Sequence, residues 1–236
     1  MKLLIIVPAY NESENIVRVI EELQETVPGY DYVVVNDGSR DATAQLCREH
    51  GYPLIDLRVN LGLTGALQTG MRYAWEEGYD AAIQIDADGQ HDPKYIPEMA
   101  EKMEKNRDDI VIGSRFLEGK RQLTLRTAGN ALLDWAIRLT TGKKVTDSTS
   151  GMRMYGKSLL RVMGFNINSS PEPDTLAYLL RCGARVEESP VVMRERTAGE
   201  SYLNPWRSVR YMAHMLSSIL IFQWFRRKGD ANVHNG

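Results

Sequence analysis

The stretch Ala81-Ala82-Ile83-Gln84-Ile85-Asp86-Ala87-Asp88-Gly89-Gln90-His91 decides how this chain is read. A short apolar run, of the length of a buried strand, empties into a loop that carries two carboxylates. In an open α/β sheet, ligands bind beyond the carboxyl ends of the strands. Alternate residues of extended backbone point the same way, so Asp86 and Asp88 can converge on one hard cation, with the Gln90 amide oxygen as a neutral third ligand. A diphosphate suits such a cation. The same residues also suit a plain strand-to-helix turn, and Asp92-Pro93 reads as a helix start in either case.

Outward from it, Leu3 to Val7, Tyr32 to Val35 and Ile110 to Ile112 are further apolar or β-branched runs, expected as buried parallel strands. Helical spacing separates them. Ile16, Val19, Ile20, Leu23 and Val27 recur behind Asn11 and Ser13 as candidate caps, and Leu67, Met71, Ala74 and Trp75 recur behind Thr64. Ala42 to Glu49 and Lys94 to Lys105 complete the alternation. This β-α-β-α order predicts a doubly wound α/β fold: a mostly parallel sheet, helices on both faces, and a ligand crevice where the motif loops fall. Beyond residue 116 the pattern turns more helical, over Leu125 to Leu139, Lys157 to Met163 and Thr175 to Cys182, before an extended piece from Arg185 to Met193. No Gly-, Ser- or Pro-rich linker interrupts it, so the second half is expected on the same sheet.

Composition narrows the function classes. The 236 residues are 43% hydrophobic and 25% charged, with a net charge of −2, so no global positive field points to nucleic acid. Cys47 and Cys182 are far apart and belong to no Cys/His cluster, which argues against a disulfide framework or a zinc site and for a reducing compartment. Met1 to Val7 is short, ends at Pro8 and reads as a first strand, not a signal peptide, so a cytoplasmic protein is expected. The segment Pro205 to Lys228 carries Met212, Met215, Leu216, Ile219, Leu220, Phe222 and Phe225, with Arg207 and Arg210 before them and Arg226-Arg227-Lys228 after. His214, Ser217, Ser218 and Gln223 interrupt it too often for a bilayer span, which needs about 20 mostly apolar residues. It would either lie at a membrane surface or cover the domain's own core.

Other loops complete the constellation: Pro8-Ala9-Tyr10-Asn11-Glu12, Asn36-Asp37-Gly38-Ser39-Arg40-Asp41 and Asn60-Leu61-Gly62-Leu63. Asp37 can accept hydrogen bonds from a base edge or ribose, Tyr10 can pack on a base, and Gly38 would let backbone approach the ligand. Neither Gly-x-Gly-x-x-Gly after the first strand nor a P-loop is present, which weakens dinucleotide and ATPase readings.

Pro-Ala-Tyr-Asn-Glu at 8–12, Asn-Asp-Gly-Ser-Arg-Asp-Ala-Thr at 36–43, Asp-Ala-Asp-Gly-Gln-His at 86–91, Gly-Ser-Arg at 113–115 and Ser-Gly-Met-Arg at 150–153 resemble glycosyltransferase family 2. Within it they most resemble the polyprenyl-phosphate sugar synthases, the group that includes dolichol-phosphate mannose synthase. The resemblance covers residues 1–203. It implies a GT-A fold, a nucleoside diphosphate sugar donor, Mg²⁺ or Mn²⁺, and inversion at the anomeric carbon. Taken with the C-terminal segment read above, it leads to an expected division into a nucleotide-sugar-binding half over 1–115, an acceptor-binding half over 116–203, a membrane- or partner-facing helix over 204–228 and a flexible tail over 229–236.

Position by position, the resemblance puts Pro8, Tyr10, Glu12, Asp37 and Gly38 in the nucleoside pocket, and Asp86, Asp88 and Gln90 around the metal. Arg115 and Arg196 match positions that serve phosphates, and Arg153, Arg194 and Ser201 are acceptor-side candidates. Tyr202 departs from the pattern, since similar sequences often carry Lys after that Ser. A hydroxyl acceptor calls for a carboxylate base, for which Asp147 ranks ahead of Glu172 and Asp174. A phosphate monoester, largely dianionic near neutral pH, needs less help.

The expected activity is transfer of a hexose from a UDP- or GDP-sugar to a polyprenyl phosphate by a peripheral enzyme at the cytoplasmic face of the cell membrane, with a small integral membrane protein as partner. The alternatives are transfer to a saccharide hydroxyl in cell-surface polysaccharide assembly, a sugar nucleotidyltransferase, and a noncatalytic nucleotide-sugar-binding module.

Overall fold

In the computed structural model, which describes residues 1–118, 124–166, 171–194 and 205–225 (backbone only at 125, 126 and 205–208), seven strands form one mixed sheet. They are β1 (Leu3–Ala9), β2 (Asp31–Asn36), β3 (Leu54–Asp56), β4 (Ala81–Gln84), β5 (Ile110–Ser114), β6 (Arg153–Gly156) and β7 (Val186–Pro190). Their order is β3-β2-β1-β4-β6-β5-β7, parallel throughout except for β6, which runs antiparallel between β4 and β5. The helices are α1 (Ile16–Thr26), α2 (Thr43–Glu49), α3 (Gly62–Glu76), α4 (Ile96–Asn106), α5 (Leu125–Thr141), α6 (Lys157–Phe165), α7 (Pro173–Arg181) and α8 (Pro205–Leu220).

The doubly wound expectation holds, and β1 shows why. Leu3, Ile5, Val7 and Ala9 face a core built with α1, α2 and α4, while Leu4 and Ile6 face a second core built with α3 and α5 to α8. A strand sandwiched between two helical layers must be apolar on both faces, which is why it reads as a continuous run.

Two strands gave no such run. β3 is three residues at the sheet edge, and β6 begins with a charged residue, Arg153. Register puts Arg153 opposite Ile112, so β6 starts at the crevice end of the sheet and runs antiparallel away from it.

The caps differ from expectation. Helix α1 starts after Asn15, and Asn11 and Ser13 instead stitch two crevice loops together: Arg40 N–H donates to Asn11 Oδ1 (2.9 Å), Asn11 N–H to Ser39 Oγ (2.9 Å), Glu12 N–H to Thr43 Oγ1 (2.9 Å) and Ser13 N–H to Asp41 Oδ2 (3.0 Å). Helix α3 begins at Gly62, ahead of Thr64. Asp92 does cap: its side chain accepts from Lys94 N–H, with Pro93 in the first turn.

Helix α8 gives its apolar side to the domain itself. Met215 and Ile219 are buried in the second core, with Met212 and Leu216 packed against it. The core-covering alternative therefore describes these four residues, while Leu220, Phe222 and Phe225 of the same segment are exposed. Among the described residues no helix is long and apolar enough to cross a membrane. Arg226-Arg227-Lys228 lies outside them. Neither cysteine forms a disulfide: Cys47 is a buried thiol, pushed up to about 11 by burial, and Cys182 is half-buried.

Candidate active site

At the carboxyl ends of β1, β2 and β4 lies a cleft of about 400 Å³ lined by Pro8, Ala9, Tyr10, Glu12, Asp37, Asn60, Gly62, Leu63, Asp86, Ala87 and Asp88. Parallel strands put their loops on one rim, which is how four segments spread over residues 8–88 share one wall. Tyr10 stands 42% exposed at that rim, available to stack on a base.

Asp37 is buried, and its Oδ1 accepts from Leu61 N–H (2.7 Å) while its carbonyl accepts from Asn60 Nδ2 (3.1 Å). It therefore fixes the loop ahead of α3 as well as lining the cleft. Gly38 has φ of +66°, and a Cβ there would lie 2.7 Å from the backbone of Val59 and Asn60. The close approach expected at Gly38 is thus backbone on backbone within the protein, not backbone on ligand.

Asp86 and Asp88 both reach the cleft, by a different route from strand alternation. β4 stops at Gln84, and residues 87 and 88 form a turn. The Asp86 side chain is 34% exposed and held from two sides. Gln84 Nε2 donates to its Oδ1 (2.7 Å), and His91 Nε2 lies 3.6 Å from its Oδ2. His91 Nδ1 accepts from Asp86 N–H (3.0 Å), which assigns the neutral ring's proton to Nε2, the nitrogen facing the carboxylate. Gly151 closes this corner: a Cβ there would sit 3.2 Å from both Asp86 Oδ2 and His91 Cε1. Asp88, only 5% exposed, accepts from Gln90 N–H (3.0 Å).

Gln90 does not join the cleft wall. Its side-chain amide donates to the carbonyl of Arg194 (3.3 Å), whose N–H donates back to the Gln90 carbonyl (3.0 Å). Among the described residues no three His, Cys, Asp or Glu side chains gather as a metal cage. Two hard carboxylates on one open wall fit Mg²⁺ or Mn²⁺, which takes one or two carboxylates and completes its shell with substrate phosphate and water.

On the far side of the sheet's crevice the acids are spoken for. Asp147 is fully buried, and both its oxygens accept from Arg115: Nε on Oδ2 and Nη2 on Oδ1, each at 2.7 Å, with Arg115 N–H adding a third bond (3.0 Å). Arg115 Nη2 also donates to Thr149 (2.9 Å), and the Asp147 bonds raise its already high pKa. The Glu188 carboxylate holds this loop through Thr146 N–H and Asp147 N–H, and Asp134 of α5 holds it through Ser148 N–H and Oγ. Asp147, expected as a base, is therefore the anchor of Arg115. A carboxylate that grips a bidentate guanidinium holds its proton-accepting lone pairs there.

The other two base candidates also face away from the donor cleft. Glu172 accepts from Tyr211 OH, whose pKa burial and that carboxylate push up, and Asp174 accepts from Ser218 Oγ (2.7 Å). Both bind α8 to α7. Arg194, expected at the acceptor, is ion-paired with Glu22 and with Asp92 (2.9 Å). Partial burial opposes ionisation of Asp92, but hydrogen bonds from Lys94 and Arg194 outweigh it and hold the carboxyl below its usual range. Arg153 differs: it is 2% exposed, Nη2 donates to the Ser148 carbonyl, and Nε has no partner among the described residues. Arg196 and Ser201 lie outside the described residues.

Sequence reasoning missed Gln84, Gly151 and Glu188 as parts of this site. His91 was visible in the motif, but only the fold folds its ring back onto Asp86.

Sheet order and cleft define a GT-A-type sugar-nucleotide fold. At the level of fold, the structure matches a mannosyltransferase from Pyrobaculum calidifontis solved with GDP-Man and Mn²⁺, with TM-score 0.67 and 19% identity over 99% of this chain and 68% of that one. The model of glycosyl transferase family 2 matches residues 4–164, and the chain belongs to that family. Among curated relatives, an undecaprenyl-phosphate mannosyltransferase of Micrococcus luteus is 31% identical over 86% of this chain and 88% of its own length. A UDP-N-acetylglucosamine–dolichyl-phosphate N-acetylglucosaminyltransferase of Methanococcus voltae is 34% identical over 67% and 71%. The chain is thus a family 2 glycosyltransferase.

Proposed function

We propose that the protein is an inverting, metal-dependent hexosyltransferase that moves a sugar from a UDP- or GDP-sugar to a polyprenyl phosphate at the cytoplasmic face of the membrane. The observation that carries the acceptor is the state of the acids. A hydroxyl nucleophile needs a carboxylate within hydrogen-bond reach, yet Asp147, Glu172 and Asp174 are committed to Arg115, Tyr211 and Ser218. A phosphate monoester, with a second pKa of about 6, arrives as its own anionic nucleophile. The relatives named above act on undecaprenyl and dolichyl phosphates, which supports the same choice.

Tyr10, Glu12 and Asp37 would hold the nucleoside, with Tyr10 against the base. Asp86 and Asp88 would hold Mg²⁺ or Mn²⁺, which supplies neutralisation of the charge growing on the departing diphosphate. Arg115, rigidly set by Asp147, presents fixed guanidinium donors on the acceptor side. Arg153, with a buried Nε–H lacking a partner among the described residues, is the residue whose desolvated donor an acceptor phosphate would satisfy. Arg196 and Ser201 are assigned to the diphosphate and the acceptor phosphate on motif position alone.

Incubating the protein with Mn²⁺, labelled UDP- or GDP-hexoses and a polyprenyl phosphate, and extracting the lipid, tests this directly. Label should enter the lipid fraction with inverted configuration, and chelation should abolish it. Transfer to saccharide acceptors alone would favour the polysaccharide reading, pyrophosphate release from a sugar phosphate and a nucleoside triphosphate would favour a nucleotidyltransferase, and binding without turnover would leave a binding module.

A further inference from the structure

We propose that the outward faces of α5 and of the turn Phe222–Phe225 form a docking surface for an anionic lipid bilayer; this rests on the polyprenyl-phosphate reading above and deepens it. Helix α5 has two apolar sides. Leu133, Ala136 and Ile137 are buried in the core, while Leu132, Trp135 and Leu139, spaced along one outer stripe, are 44%, 54% and 62% exposed. A helix that merely covers a domain is polar on its outer side. The turn after α8 repeats the anomaly, with Ile221, Phe222, Trp224 and Phe225 exposed by 55% to 82%. Both belong to the same helical layer: α5 and α8 pack on one core, and a Cβ at Gly129 of α5 would meet Met212 of α8 at 3.2 Å.

Charge selects the occupant. Residues 125–145 and 205–228 contain nine of the chain's 29 Lys and Arg but one of its 31 Asp and Glu. That one is Asp134, which is buried and turned inward onto Ser148. Among the described side chains of these segments Arg138, Lys143, Lys144 and Arg210 are exposed and no acid is, while the rest of the sequence carries 30 acidic residues against 20 basic ones. Aromatic and aliphatic side chains flanked by Lys and Arg match the interface of an anionic membrane, the rings entering the headgroup boundary and the cations meeting phosphates. A second copy of the chain fits worse, because a two-fold contact would set this cationic face against itself. Arg181 steadies the turn, its guanidinium 4.2 Å over the Trp224 ring and donating to the Gln223 carbonyl (2.5 Å).

The placement serves the chemistry. The turn of α5 that shows Trp135 outward shows Asp134 inward, one hydrogen bond from the loop in which Asp147 grips Arg115. A lipid acceptor would leave its tail in the bilayer under α5 and bring its phosphate to that loop.

The test is flotation of the full chain with vesicles of phosphatidylcholine containing about a third phosphatidylglycerol, at about 0.1 M and 1 M salt. The wild type should float at low salt and release at high salt. Trp135→Ser with Leu139→Gln should weaken partition by about tenfold or more, and Lys143→Glu with Lys144→Glu should weaken it on anionic but not on neutral vesicles. Both variants should keep the wild-type melting point and the wild-type rate on a short, water-soluble isoprenyl phosphate. If the wild type does not float, or the variants float as it does, the proposal falls. It also falls if sedimentation finds a dimer that Trp135→Ser with Leu139→Gln splits, or if only protease-sensitive native membranes bind. If flotation behaves as expected but no isoprenyl phosphate is glycosylated, the docking surface stands and the acceptor reading is what fails.

Discussion

The two rims of the crevice are built from the same kinds of residue and do opposite things with them. On the donor rim, Asp86 and Asp88 line an open cleft, with Asp86 accepting from Gln84 and Asp88 from the Gln90 N–H. On the acceptor rim, Asp147, Glu172 and Asp174 spend their oxygens on Arg115, Tyr211 and Ser218. A carboxylate that lines an open cleft keeps oxygens for a ligand, whereas one enclosed by donors of its own fold spends them there. The difference separates a rim open to the proposed cation from one whose acids hold Arg115, Tyr211 and Ser218 in place.

The largest expected effect breaks the donor rim. Asp86→Ala or Asp88→Ala should cut transfer by about a thousandfold, the several kcal/mol expected of metal-assisted charge stabilisation. Calorimetry with Mn²⁺ and UDP or GDP should show the ion no longer enhancing nucleotide binding. Equal turnover by either variant, or in chelated buffer, would remove the basis of the comparison.

The acceptor rim is tested by Asp147→Asn. Leaving Arg115 buried without its counter-charge should cost about 3 kcal/mol in urea unfolding. Transfer should fall as well, but the acid limb of the pH–rate profile should stay where it is, because the lost group orients Arg115 and takes no proton. Should that limb vanish while stability is unchanged, Asp147 is a base after all and the two rims are alike. Glu172→Gln and Asp174→Asn, by the same logic, should each leave more than about a tenth of the transfer rate.

A smaller effect sharpens the donor rim. His91→Ala should weaken Mn²⁺ binding, measured by electron paramagnetic resonance with nucleotide present, by about tenfold. His91→Gln, which can restore a donor toward Asp86, should recover part of the loss.

The smallest effect concerns Arg194 and acid stability. A depressed carboxyl contributes stability that is present above its unfolded pKa and lost as pH falls through the folded one. Asp92 is such a group, with Lys94 and Arg194 as causes. Arg194→Met should therefore lower stability at neutral pH by about 0.2–1 kcal/mol, and the gap should close as pH falls below about 4. Transfer should be affected only through the Gln90 contact. A loss of acceptor affinity instead would return Arg194 to the acceptor site.

The sequence by itself determined the sheet's parallel core, because strands buried on both faces must be largely apolar runs, and the runs Leu3–Val7, Tyr32–Val35, Ala81–Ile85 and Ile110–Ile112 fall on β1, β2, β4 and β5. It also determined which loops share the crevice, since parallel strands deliver their exits to one edge. It hid β3 and β6, whose pairing is decided by neighbours and not by composition. Tertiary structure alone decided what each charged side chain meets: Asp147 is fixed by Arg115, 32 residues away in sequence, and Arg194 by Glu22, 172 residues away. Carboxylate and guanidinium chemistry is set by the nearest few ångströms, and along a chain that crosses its own sheet those neighbours come from anywhere. The same holds for α8, whose apolar residues read identically whether they meet lipid or core: the fold gave Met212, Met215, Leu216 and Ile219 to the core and left Leu220, Phe222 and Phe225 exposed.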